Sequence, residues 1–207
     1  IKDVRELNSL FTTIAFNSGS EFSYDVLSKR SGVSKDTIKR YIQYLEAAFL
    51  IKVVNRVRLS GKRFQRAVQF KIYLTNPSLR SALFSPITQE MKAFGNMVET
   101  AIFSQWFHRH WKTPFYANWK GGEVDIVGIR ESDLRPSWAV EIKWSNRFFE
   151  RPRELKSLIQ FMKENQLNRA VVTTIDKEGV QELGDLKIDF MPAALYAYTI
   201  GERTLVE

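Results

Sequence analysis

Two short runs, GEVDIVGI at 122–129 and SWAVEIKWS at 137–145, constrain this chain more than any other feature. Gly121-Gly122 bounds the first, and the polar stretch from Arg130 to Pro136 separates it from the second. Short β-branched runs with such boundaries read as neighbouring strands. Side chains alternate faces along a strand, so Glu141 and Lys143 share one face, and Val140, Ile142 and Trp144 take the other. Asp125 sits among Val124, Ile126 and Val127. The fold therefore has to place a carboxylate on one strand beside a carboxylate–ammonium pair on the next.

The surrounding segments supply the rest of a sheet and its helices. EMKAFGNMVETAIFSQWFHRHW at 90–111 repeats Phe94, Met97, Val98, Ala101, Ile102, Gln105 and Trp106 at helical spacing, with Glu99 one turn from Phe103. FYANW at 115–119 reads as a strand, RPRELKSLIQFMKENQ at 151–166 as a helix, RAVVTTI at 169–175 as a strand, and ALYAYTI at 194–200 as another. Helix, three strands, helix, strand is an α/β order with a mixed central sheet.

The first part differs. Val4, Leu7, Leu10, Phe11 and Ile14 mark an opening helix, and Asn17-Ser18-Gly19-Ser20 ends it. Ser23 is a candidate N-cap for a short helix, Gly32 makes a turn, and Ser34 caps a second helix that buries Ile38, Ile42, Leu45 and Phe49. Two β-like runs, IKVVNRVRLS and AVQFKIYLT, follow around Gly61-Lys62-Arg63. Helix-turn-helix followed by a hairpin predicts a winged helix-turn-helix over residues 1–85, with the α/β domain over 86–207. Lys35, Lys39, Arg40, Arg58, Lys62 and Arg63 are its candidate phosphate contacts; such contacts position a duplex without reading it. Winged helices also mediate protein–protein contacts, so a protein partner stays open beside DNA.

Charge supports the division. Residues 1–90 hold 15 Lys and Arg against 7 Asp and Glu, which accounts for the whole net charge of +8. No acidic residue lies between Glu46 and Glu90. This asymmetry points to a polyanionic partner, or else to a solvated basic surface. The 207 residues, 44% of them hydrophobic, suffice for a sizeable core. The absence of cysteine removes disulfides, zinc–thiolate centres and thiol nucleophiles. The two histidines, His108 and His110, face different directions on a helix and make a poor metal pair. No apolar run reaches membrane-spanning length, which gives a cytoplasmic expectation, and a chain opening at Ile1 reads as part of a longer protein. The oligomeric state is left open.

A helix Glu, a strand Asp and a strand Glu-x-Lys suit metal-dependent phosphodiester hydrolysis. Mg²⁺ or Mn²⁺ takes oxygen ligands, which Asp125, Glu141, the Ile142 backbone carbonyl and Glu99 can supply. Lys143 can orient water or stabilise developing charge. Glu123 is an outer ligand or a bystander. Two carboxylates ~4 Å apart repel by ~4 kcal/mol at an effective dielectric near 20, a conflict a cation resolves. The alternative is a partly solvated ion-pair network on a sheet face.

Glu99, Asp125 and EIK at 141–143 resemble the PD-(D/E)XK motif of restriction enzymes, RecB-type nucleases and Holliday-junction resolvases. A wider resemblance takes in TIKRYIQYLEAAFLI, KIYLTNPSL, FGNMVETAIFSQW, GGEVDIV and VEIKWS. These look like the C-terminal domain of unknown function of a family of bacterial and archaeal AAA-type ATPases, in which a winged helix and a nuclease-like domain follow the ATPase. The resemblance implies an α/β fold of restriction-endonuclease type after the winged helix. It also implies DNA as partner, an ATPase module elsewhere in the full protein, and Glu99, Asp125, Glu141 and Lys143 as catalytic residues. No G-x-x-x-x-G-K-[ST] loop occurs in this chain. Relatives commonly carry Asp-x-Gly where this chain has Asn76 and Ser78, and a small Ser where it has Trp144; Gln160 matches a glutamine of some RecB-like nucleases. Three functions remain open: a nuclease, a non-catalytic DNA- or protein-binding regulatory domain of the ATPase, and a free-standing transcription regulator.

Overall fold

A computed structural model describes residues 4–60, 69–91, 93–108 and 113–206, with side chains through Arg203. The chain divides into two compact units, residues 1–55 with 66–107, and residues 56–65 with 108–207. Strands among the described residues pair both parallel and antiparallel, so the class is mixed α/β.

In the first unit α1 (Val4–Phe16) is followed by β1 (Glu21–Phe22), α2 (Tyr24–Ser31) and α3 (Lys35–Ala47). The expected caps form: Ser23 accepts from Val26 N–H, Ser34 from Thr37 N–H, and Gly32 ends α2 in the left-handed region at φ 71°. Ile38, Ile42 and Leu45 are buried, together with Tyr41, whose hydroxyl donates to Glu6. Phe49 departs from expectation. Helix α3 stops at Ala47, and Phe49 sits at φ 53° with 41% of its surface exposed. Strands β2 (Ile51–Val57) and β3 (Phe70–Leu74) are antiparallel, and β1 flanks β3. Gly61, Lys62 and Arg63, the expected junction of the two strands, lie outside the described residues.

Helices α4 (Ser78–Leu83) and α5 (Phe94–Trp106) complete this unit. The sequence pattern places α5 with the domain over 86–207. It clusters instead with residues 1–55 because it is tied to β3: Tyr73 stacks on Phe103 at 3.9 Å between centroids, and Glu99 receives Tyr73 and Lys71. Thr100 also bonds the buried Ser18.

The second unit carries β4 (Phe115–Trp119), β5 (Gly122–Ile129), β6 (Pro136–Glu141), α6 (Arg147–Glu150) and α7 (Lys156–Glu164). These lead to β7 (Arg169–Thr174), β8 (Gly179–Leu183), β9 (Leu186–Pro192) and α8 (Ala193–Val206). Its sheet order is β4-β5-β6-β7-β9-β8, with Arg56 and Val57 from the end of β2 pairing in parallel with β4. The core gathers Val124, Val127, Ala139, Leu158, Phe161, Met162, Val172 and Ile188.

Three expectations change in this unit. The helix expected over 151–166 begins at Lys156, because Pro152 opens a separate 3-10 turn at Pro152–Glu154. Residues 194–200 form helix α8, not a strand: the buried Ala193, Tyr196 and Ile200 are spaced three and four apart. A hairpin of β8 and β9 turns through Gly184 at φ 64°, in a region where the sequence pattern predicts no strand.

Two tryptophans occupy the space above glycines on the neighbouring strand. Gly128 faces Trp138, and a Cβ there would stand 1.9 Å from the indole; Gly122 faces Trp119 at 2.3 Å. Overpacking of this kind costs about 1–3 kcal/mol. Gly128→Ala should therefore lower unfolding stability by that amount in urea titration, and Gly128→Ala with Trp138→Ala should recover part of the loss.

Candidate functional site

The site in the second unit begins with an irregularity in β5. Phe115 pairs with Val127 and Ala117 with Val124, so two steps on β4 match three on β5. The extra residue lets Val124 and Val127 both join the cluster under α7, while Asp125 and the fully buried Ile126 lie outside that cluster. Bulges re-aim side chains in this way. On the other side Ile126 pairs with Val140, and continuing that register sets Asp125 across from Glu141.

Strand β6 ends at Glu141, earlier than the run to Ser145 suggests. Other bonds hold the chain beyond it. Asp125 Oδ2 accepts from the Ile142 N–H at 2.7 Å. Thr173 Oγ accepts from the Lys143 N–H at 2.8 Å and donates to the Lys143 carbonyl at 2.9 Å. Lys143 Nζ then stands 2.7 Å from Glu141 Oε1 and 3.9 Å from Asp125 Oδ2. Its ammonium also lies 5.9 Å from the Phe148 ring centroid. Asp125, Glu141 and Lys143, three of the residues singled out in the sequence, thus meet.

Both carboxylates are buried, each at 8% exposure. Glu141 Oε2 has no hydrogen-bond partner among the described residues. Burial, and after it the charge of Asp125, pushes the Glu141 carboxyl up to about 8, against the pull of Lys143. Glu123 adds a smaller push and is itself bonded to Asn118 at 2.8 Å. An oxygen left unsatisfied beside a second carboxylate suits a cation. Asp125 and Glu141 Oε2 are oxygen donors of the kind a hard divalent ion takes.

Glu99 belongs to the first unit, where its Oε1 accepts from Tyr73 at 2.5 Å and Lys71 at 3.2 Å. Among the described residues no three His, Cys, Asp or Glu side chains gather as a cation site. Gln160 is exposed on α7, His108 is exposed after α5, and His110 lies outside the described residues. Thr173, fully buried, carries no signal in the sequence, because within RAVVTTI it looks like one more β-branched strand residue.

Lys35, Lys39 and Arg40 are exposed at the start of α3. Lys35 pairs with Asp25, Lys39 with Asp36 at 3.4 Å, and Arg40 donates to Thr37. Arg58, also exposed, belongs to the second unit, and Lys62 and Arg63 lie outside the described residues. Part of the basic excess serves packing: Lys71 is buried against Glu99, and the Arg80 guanidinium lies 5.2 Å from the Phe16 ring and 5.7 Å from that of Phe84. No helix among the described residues is long and apolar enough to cross a membrane.

Residues 1–90 match the model of a family described as a domain of unknown function (DUF8612). That match stops short of the strands bearing Asp125 and Glu141. No curated protein and no solved structure matches the chain.

The raised Glu141 pKa has a consequence for stability. The folded state holds a proton here that the unfolded chain releases near 4.5, so the contribution is complete below that pH and is lost as pH rises to about 8. Without divalent cations, the wild type should lose on the order of a few kcal/mol relative to Glu141→Gln between pH 5 and pH 8. Denaturant titrations at the two pH values check this.

Proposed function

We propose that the second unit carries a metal-dependent phosphodiesterase site of PD-(D/E)XK nuclease type, and that the first is a winged helix-turn-helix that holds DNA. On this reading the chain is the C-terminal, DNA-associated module of a cytoplasmic AAA-type ATPase. The observation that carries it is the unsatisfied, buried Glu141 Oε2 beside Asp125 and Lys143.

Asp125, Glu141 and the Ile142 carbonyl would hold Mg²⁺ or Mn²⁺. When bound, the ion supplies Lewis-acid activation of water and neutralises charge at phosphorus. Asp125 fixes the strand end through the Ile142 N–H. Lys143 presents its ammonium to a phosphate oxygen or the attacking water, where charge develops. In the first unit the order α1-β1-α2-α3-β2-β3 and the strand order β1-β3-β2 support the winged-helix assignment. The acidic partners of Lys35 and Lys39 are exposed, and such pairs are worth little against a phosphate.

A second reading, a non-catalytic DNA- or protein-binding regulatory domain of the ATPase, is favoured by one observation. Two carboxylates, not three acidic or histidine side chains, meet at the site among the described residues.

Calorimetric titration of Mn²⁺ and Mg²⁺, paired with cleavage of linear, branched and single-stranded DNA, separates the two. The nuclease reading expects binding by the wild type, loss in Asp125→Ala and Glu141→Ala, and binding without cleavage in Lys143→Ala. Cation binding with no cleavage of any DNA supports the regulatory reading, and absence of both leaves an ion-pair network. For the first unit, replacing Lys35, Lys39 and Arg40 by Gln should flatten the dependence of log affinity on log salt by about 0.9 for each phosphate no longer neutralised.

A further inference from the structure

We infer that Thr173 is a positioning residue for Lys143, acting through the main chain; this rests on the nuclease reading of the site. Strands β6 and β7 run parallel, and their main-chain ladder pairs Val140 with Val171 and Glu141 with Val172. One step later the ladder is replaced. The Thr173 hydroxyl takes the Lys143 N–H at 2.8 Å and returns a bond to the Lys143 carbonyl at 2.9 Å, satisfying both main-chain groups with one side chain. A hydroxyl is needed for this, since it donates and accepts at once. Valine has the same shape and can do neither.

The same two segments are clasped a second time. Asn146 Oδ1 accepts from the N–H groups of Ile175 at 3.1 Å and Asp176 at 3.3 Å, and its Nδ2 donates to Asp176 at 2.7 Å. The loop leaving β6 is thus pinned at Lys143 and again at Asn146. The Lys143 ammonium is the part of that residue aimed at the carboxylates, and its stem is flexible. Fixing the backbone at both N–H and C=O limits where the ammonium can reach, and a side chain misplaced by about 1 Å costs up to ~10²-fold in rate.

The test compares Thr173→Val, Thr173→Ala and Thr173→Ser. In a cleavage assay with Mn²⁺, Thr173→Val and Thr173→Ala should lose ~10-fold or more in kcat while KM and Mn²⁺ affinity hold, and Thr173→Ser should restore kcat. A second readout is independent of cleavage: the ¹⁵N-edited NMR signal of the Lys143 ammonium, assigned by its loss in Lys143→Arg. The signal should be sharp in the wild type and Thr173→Ser, and shifted or lost in Thr173→Val. If the wild type cuts no DNA while the ammonium signal follows this pattern, the nuclease reading fails and the positioning role stands. An unchanged signal in a folded Thr173→Val overturns the inference, as does failure of Thr173→Ser to restore it. Unfolding of both Thr173→Val and Thr173→Ala also overturns it, because the hydroxyl would then hold the sheet together and not Lys143.

Discussion

Two buried carboxylates and one half-buried ammonium beside the end of β6 govern the second unit. One ammonium cannot satisfy two acids, so the site is left with an excess of negative charge or holds a proton. Its raised Glu141 pKa is the sign of that imbalance. The extra residue in β5, the early end of β6 and the hydroxyl of Thr173 are the means by which the fold keeps the three groups together. The hydrophobic cluster under α7 serves the same end from the opposite face, since Val124 and Val127 anchor the strand on both sides of Asp125.

The first unit meets a similar problem in a different way. Lys71, Glu99 and Tyr73 are drawn into its interior, and there the acid has a cation and a hydroxyl against a single oxygen. A buried pair satisfied like this gives little net stability compared with apolar residues, but breaking it is costly. It fixes how α5 lies on β3, which packing between Phe103 and Tyr73 alone would specify less sharply.

Local chemistry was legible in the sequence, and non-local chemistry was not. Ser23, Gly32 and Ser34 announced the ends of α2 and α3 because capping depends on neighbours within three residues. Strands β4 to β7 were visible as aromatic or β-branched runs between turn residues, and the Glu-x-Lys spacing brought its two charges together as expected. Helix α8 was obscured because ALYAYTI has small and aromatic residues that fit a period of two as well as one of 3.6, with no charge to separate the faces. Strand β8 has no buried residue, so it carries no apolar signal. Phe49 looked like the last core position of α3, but the helix ends before it. Neither the bulge that turns Asp125 nor the bonds of Thr173 has a compositional trace, because each depends on a strand distant in sequence.

The path of the chain through its units has a further consequence. Residues 56–65 belong with 108–207, while 66–107 return to the unit that 1–55 began. On a ribosome, then, Arg56 and Val57 emerge about sixty residues ahead of Tyr116 and Ala117, the strand partners they wait for. The first unit can close around its own core in that interval, before Arg56 and Val57 have met their partners. Synthesis is therefore interleaved, and a cut after residue 107 would leave the first unit with β1, β2 and β3 but take Arg56 and Val57 from the second.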